Sequence, residues 1–418
     1  LRPIFTTFIR PSLLAFFPLS LLWFCAHFAF EVDKIAGVQH LIYLFFGASI
    51  IFLFNYFTEN NTQILARATR IIAVILLINI GLGLLETMSI IRFPISDYSP
   101  LCGYFGRTLK YYHNISMTSS NLDLLTAKQL IDSTPTGFYC NPNDCATVVS
   151  MCFPFFLLHR NKFIATLGMS SVLLVDVGTS ARLVLLGVWL MFAVSFFFIN
   201  KKNWQNFLIA IVLLFASLSN GYTFLAGNWR QLNEVSIIGK VKLDDTLSNG
   251  KWHTLSRDKL SPKFELDTST IQHDNSTNIR KELIIAGFNT AKQHYGIGIG
   301  GGNMGAKLTR MGGIGTYKTK VLHNFWLEWL IEGGVIAAVG FALWYSWLLW
   351  SLYRTFRKKN DENDDLSTPF ILQKENIAAI FVTLVGFVLT AIAQGTCIYF
   401  LPMYLLFAVA IKVSRSSN

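Results

Sequence analysis

The sequence predicts an all-α, polytopic membrane protein of about ten transmembrane helices with a large extracytoplasmic loop subdomain. Three observations lead there. Of 418 residues, 52% are hydrophobic and only 14% charged, against roughly 25% charged in an ordinary soluble domain, which excludes a soluble globular enzyme. Apolar segments of roughly 20 residues, long enough as helix to cross about 30 Å of hydrocarbon, recur along the chain. The basic residues cluster in alternate connections between those segments, the pattern that orients membrane proteins.

The ten predicted spans fall near 12–30, 36–57, 71–91, 140–158, 163–179, 181–199, 206–226, 323–352, 376–396 and 397–413. The connections near 179–181 and 396–397 are short enough to be tight hairpins or broken, re-entrant segments. With the N-terminus inside, the inner connections hold Arg2 and Arg10, Arg67 and Arg70, Arg160 and Lys162, Lys201 and Lys202, the run Arg354 to Lys359 with Lys374, and Lys412 with Arg415. Every predicted inner connection is basic, whereas the short outer ones hold more acids than bases, so both termini are expected in the cytoplasm. The first residue is Leu and no short cleavable signal is visible, so the chain reads as lacking part of its N-terminus.

Two outer connections are long, about 92–139 and about 227–322, and loops of that length carry function or lack order. The second holds Trp229, Trp252, Phe264 and Phe288 and is predicted to be a small folded subdomain. The expected organisation is therefore a membrane bundle over 1–226 with about seven spans, the extracytoplasmic subdomain over 227–322, and a membrane bundle over 323–418 with about three. The net charge of +11 divides mainly between the inner connections and the large outer loop. Basic residues split across two faces of a membrane do not make a nucleic-acid surface, so no nucleic-acid partner is expected. The acidic-basic run from Arg354 to Asp365 reads as a solvated cytoplasmic loop. Six cysteines without paired spacing or clustered histidines suggest neither a zinc site nor a disulfide framework; whether Cys102, Cys140 and Cys145, all predicted outside, form a disulfide stays open.

Five constellations could carry chemistry. The rigid turn Pro135-Thr136-Gly137-Phe138 leads into Asn141-Pro142-Asn143-Asp144. It is either a helix N-terminus capped by Asn143 or Asp144 or a ligand contact made by those residues. Arg182 stands at the outer end of a span, where it either snorkels to headgroups or clamps a phosphate with two parallel hydrogen bonds. Asp274 to Thr277 can cap a helix that places Arg280 and Lys281 in or near its first turn, where free amides and the dipole favour an anion; the alternative is a solvated amphipathic helix. The glycine-rich run from Gly296 to Gly305, with Asn303, lacks the Gly-Lys-Ser/Thr ending of a nucleotide loop and reads as a flexible or closely packed turn. His323 opens the eighth span and is suited to accept a proton near neutral pH, while Glu328 and Glu332 share one helical face, where carboxylates inside a membrane are costly and suggest function.

In this order the elements resemble the O-antigen ligase and polymerase superfamily of membrane glycosyltransferases, whose relatives include teichuronic-acid and exopolysaccharide polymerases. The carrying features are Pro-Thr-Gly-Phe-x-x-Asn-Pro-Asn-Asp at 135–144, Ser-Ala-Arg at 180–182, Ser-Thr-Asn-Ile-Arg at 276–280 with Tyr-Gly-Ile-Gly-Ile-Gly-Gly-Gly-Asn at 295–303, and His-Asn-x-x-Leu-Glu at 323–328. They cover about 135–345. The resemblance implies a GT-C-like fold with twelve spans as the alternative to ten, set in the bacterial cytoplasmic (inner) membrane. It implies a metal-independent, inverting transfer on the extracytoplasmic side that needs no cofactor, from an undecaprenyl-diphosphate-linked oligosaccharide donor to a glycan acceptor. By that analogy Arg182 and Arg280 bind the diphosphate and stabilise its leaving charge, and His323 accepts the acceptor's proton; Lys281, Asn143, Asp144, Asn303 and Glu328 are the further candidates for substrate contact. Polymerisation of repeat units is the first expectation, with a chain-length regulator as partner. Ligation of the finished glycan to lipid A-core or another acceptor is the second. Transport is the alternative from another class, disfavoured because the conspicuous groups lie at the outer boundary rather than at the bilayer midplane.

Overall fold

The computed structural model describes residues 13–28, 33–88, 90–94, 96, 134–139, 141–179, 181–198, 203–218, 275–310, 322–359, 369–394 and 398–415, with the side chains of 275–279 excepted. The predictions at Cys102, Cys140, Ser180, Trp229, Trp252, Phe264, Asp274 and the first twelve residues lie outside them. Among the described residues every regular element is helical: α1 (Phe16–His27), α2 (Lys34–Thr58), α3 (Thr62–Thr87), α4 (Pro142–Ser150), α5 (Phe153–Leu157), α6 (Lys162–Thr179), α7 (Arg182–Ser195), α8 (Trp204–Leu218), α9 (Asn275–Gln293), α10 (Asn303–Arg310), α11 (Phe325–Glu332), α12 (Gly334–Lys358), α13 (Lys374–Thr390) and α14 (Leu401–Arg415).

Four of these, α2, α3, α6 and α12, are long and apolar enough to cross a membrane; α1, α8 and α7 with its 3-10 extension to Phe198 are shorter apolar helices. The long helices turn apolar stripes outward, with Ile71, Val74, Ile75 and Ile78 on α3 and Leu343, Trp347 and Trp350 on α12 all exposed. Stripes of that extent are unfavourable in water and are what hydrocarbon solvates. The chain is an integral membrane protein.

Local chemistry sets the helix ends. Asp33 starts α2 by accepting from the amides of Ile35 and Ala36 at 3.2 and 3.1 Å, and Asn61 starts α3 through Ile64 N at 2.9 Å. Two predicted spans are broken. The segment 140–158 divides into α4 and α5, because Pro154 in the first turn of α5 has no amide to donate and its ring collides with the carbonyl four residues back. The segment 323–352 divides at Gly333-Gly334. There α11 folds back along α12, so that Trp329 stacks on Phe341 at 4.8 Å and Trp326 meets Tyr345 at 5.4 Å. Gly334 has φ +77, and a Cβ there would lie 2.1 Å from the carbonyl oxygen of Ile297, so a side chain is excluded at this corner.

Lipid tails are as apolar as leucine, so helices associate through close packing and small residues instead of water exclusion. A Cβ on Gly187 would lie 2.5 Å from Thr390, and one on Gly386 2.3 Å from Met191, which lets α7 and α13 cross in contact. Phe24, Phe325, Phe341, Phe387 and Phe407 fill a core among α1, α11, α12, α13 and α14. Met169, Val172 and Met191 fill a second among α3 to α8 and α13. Arg415 meets Glu59 at 2.9 Å and Arg160 meets Glu375 at 2.9 Å, joining connections that the basic-residue pattern assigns to the inner face. Arg310 and Asp33, 3.6 Å apart, join two connections it assigns to the outer face.

Candidate functional site

The site elements meet at the ends of helices that the charge pattern assigns to the outer face. The turn Pro135-Thr136-Gly137 is held by Glu86 in the last turn of α3. This carboxylate is completely buried and accepts from the amides of Thr136, Gly137 and Phe93 at 2.6, 2.7 and 2.9 Å. Arg92 lies 3.9 Å away. Asn79 accepts from Phe138 N at 3.0 Å. Gly137 has φ +54, and a Cβ on it would stand 2.4 Å from the Asn79 side-chain oxygen, so glycine is required at this point. The cap of α4 is Asn141, which accepts from Asn143 N at 3.0 Å, and not Asn143 or Asp144 as expected. A cap precedes the first helical residue, and Pro142 takes that position because its missing amide has no helical partner there. Asn143 and Asp144 are half-buried in the first turn.

The same turn touches the next element. Pro135 would meet a Cβ on Gly178 at 3.1 Å, in the final turn of α6, and four residues later Arg182 begins α7. Arg182 is exposed, and no acidic residue occupies that first turn. Arg280 lies at the start of the second turn of α9, beside exposed Lys281.

Packing brings the three proposed catalytic residues towards one locality. Ala181 and Val184 flank Arg182 and pack with Ala146 of α4 and Ala393 beyond α13. The neighbouring Ala391 carbonyl accepts from Phe325 N at 3.4 Å, two residues after His323. The end of α13 thus touches both the Arg182 and the His323 segments. On the other side, Leu283, one turn from Arg280, shares a small core with Leu322, Leu327 and Ile331. Gly287 permits this approach, since a Cβ there would lie 2.5 Å from Ile331 and 3.2 Å from Leu327.

His323 is half-buried and has φ +53, a left-handed conformation that costs a residue with a Cβ about 1–3 kcal/mol and persists only where its surroundings impose it. The next residue, Asn324, caps α11, accepting from Leu327 N at 3.1 Å. Glu328 and Glu332 are both buried. The glycine-rich run is closely packed. Glu332 accepts from Gly302 N at 2.9 Å and Met304 N at 3.4 Å through its carboxylate, and from Gly300 N at 3.0 Å through its carbonyl. Asn303 binds Asp33 N at 2.9 Å and the Gly301 carbonyl at 3.1 Å, which ties this run to α2. Trp23 donates to the Gly333 carbonyl at 2.8 Å, and His27 Nε2 lies 3.0 Å from that of Ile297.

Sequence reasoning passed over three groups. In sequence Glu86 is one acid among those at the short outer connections. His40, buried in α2, has Nδ1 3.4 Å from Glu332 Oε2 without hydrogen-bond geometry. Asp176, fully buried in α6, has neither carboxylate oxygen hydrogen-bonded. An ionisable residue inside an apolar segment was the available signal for all three. No group of three or more His, Cys, Asp or Glu able to hold a metal occurs among the described residues. Cys145 is free and buried, and Cys102 and Cys140 lie outside the described residues.

Residues 165–342 match the family model described as O-antigen ligase, a stretch that begins in α6, ends in α12 and contains Arg182, Arg280 and His323. This places the stretch in the O-antigen ligase and polymerase superfamily, as its motifs indicated, a family that implies glycosyltransferase-type activity. No curated protein and no solved structure matches the chain.

Proposed function

We propose that the chain polymerises undecaprenyl-diphosphate-linked oligosaccharide repeat units at the outer side of a bacterial cytoplasmic membrane, by metal-independent, inverting transfer. The observation that supports this reading is that the end of α13 touches the Arg182 and His323 segments, while α9, which bears Arg280, packs on α11 just after His323. Two outer cations suit a diphosphate, and the histidine suits a hydroxyl.

In the proposed step the acceptor hydroxyl oxygen attacks the anomeric carbon of the donor as the bond from that carbon to the diphosphate oxygen breaks. The electron pair leaves with undecaprenyl diphosphate, whose charge Arg182 and Arg280 neutralise. His323 takes the hydroxyl proton. Lys281 adds positive charge beside Arg280, and Asn143, Asp144 and Glu328 line the approach for sugar hydroxyls. Asn303 supports the site through the glycine-rich run. The proposal includes cytoplasmic termini, about ten spans in a GT-C-like bundle, an extracytoplasmic subdomain over 227–322 between membrane bundles, and a chain-length regulator as partner.

The family description favours a second reading, ligation to lipid A-core or another acceptor. Purified protein in proteoliposomes, given an undecaprenyl-diphosphate-linked repeat unit, tests both. A ladder rising by whole repeat units on the carrier supports the polymerase, and transfer only to a different acceptor overturns it. His323→Ala should abolish transfer and keep donor binding. Arg182→Ala and Arg280→Ala should weaken donor binding, and unchanged affinity in both removes the clamp.

A further inference from the structure

The exposed half of α9 has two different flanks. At intervals of four and three residues run Lys281, Ile285, Phe288 and Lys292, all exposed, with Phe288 at 54%, and Tyr295, 92% exposed, follows in the turn just beyond the helix. The adjacent exposed flank is polar, with Glu282, Asn289 and Gln293. An apolar strip bordered by long-stemmed lysines and ended by a tyrosine has the composition of a helix at a lipid boundary, where lysine stems lie along the apolar surface and the tyrosine ring sits at headgroup level.

The fold sets the depth of this strip. Gly287, next to Phe288, packs on Leu327 and Ile331 of α11, and α11 runs back along α12, with Trp329 stacked on Phe341. Phe341 is seven residues inside Gly334, roughly 10 Å along the helix at 1.5 Å per residue. Phe288 therefore stands level with an inner turn of a membrane-spanning helix. Where α9 ends, the Val335 amide donates to the Gly296 carbonyl at 2.8 Å, so exposed Tyr295 and Ile297 adjoin Val335, Ile336 and Val339, the outward-facing apolar residues that begin α12.

We propose that the Ile285-Phe288 flank of α9, with Tyr295 in the turn beyond it, is embedded in the outer leaflet of the bilayer, as a continuation of the lipid-facing surface of α12. The Asn289 flank faces water. The lipid contact does not depend on the donor proposed above.

A photo-crosslinking amino acid, p-benzoylphenylalanine, placed at position 288 of the full chain in phosphatidylglycerol–phosphatidylethanolamine proteoliposomes tests this. After irradiation, mass spectrometry should find phospholipid adducts on the peptide containing position 288, at least about tenfold above those from the same probe at position 289. Adducts from position 288 to residues 219–274 or to a second copy of the chain, equal lipid adducts at both positions, or no adduct at 288 would overturn it. Loss of transfer with the adduct pattern intact would instead count against the proposed reaction.

Discussion

Glu86→Ala tests whether a buried carboxylate organises the outer end of the bundle. The side chain is completely buried and receives three backbone amides, those of Thr136, Gly137 and Phe93, at 2.6 to 2.9 Å. Alanine leaves all three donors without their acceptor. An orphaned buried donor costs about 1–3 kcal/mol, and allowing for partial relaxation and for relief of the carboxylate's own desolvation, the net loss is about 3–6 kcal/mol. Glu86→Gln keeps one carbonyl oxygen in place but turns an NH2 towards an amide, so about half of the loss remains. The assay is the fraction of detergent-solubilised protein that stays monodisperse after heating. At roughly 2 °C or more per kcal/mol for a chain larger than a small domain, alanine should lower the midpoint by about 6 °C or more and glutamine by clearly less. An alanine variant within about 2 °C of the parent, or a glutamine variant as damaged as alanine, would refute the acceptor role.

The remaining predictions use other contacts. Glu332→Ala releases the amides of Gly302 and Met304 and should lower kcat for transfer about tenfold or more, as about 1.4 kcal/mol of lost positioning implies, with Glu332→Gln in between; steady-state kinetics of both variants checks the order. Gly334→Ala must place a Cβ at φ +77 within 2.1 Å of the Ile297 carbonyl, so folded yield should fall sharply, whereas the neighbouring exposed Val335→Ala should be tolerated. Asn141→Ala removes the cap of α4 and should cost about 1 kcal/mol, read as a small drop in thermal midpoint. Cys145 and Cys152 are free and buried and should resist maleimide in the folded protein and react after denaturation; rapid labelling of either in the native state would contradict the packing of α4 against α6.

Helical class, membrane setting, the motif positions and the family were legible because each depends on local composition or short spacing. Apolar length marks a helix able to cross hydrocarbon, and the sequence spacing around Arg182, Arg280 and His323 is recognisable without coordinates. Helix breaks were less legible. Gly333-Gly334 was visible, but that it folds α11 back along α12 depends on Trp329 finding Phe341 and on Ile297 occupying the space a Cβ would need. The cap of α4 was misplaced by two or three residues because Asn141, Asn143 and Asp144 are all good caps, and only the position of Pro142 discriminates among them.

What the sequence determined by itself is that this chain crosses a membrane as helices, since hydrophobic length acts through solvent alone. Only the tertiary structure decided which groups support them. Glu86 lies 50 residues before Thr136 and Glu332 lies 28 residues after Met304, and His40 approaches Glu332 from the far end of the chain. The partners of a buried carboxylate are selected by what folding brings within about 3 Å of it, and sequence spacing carries no record of that.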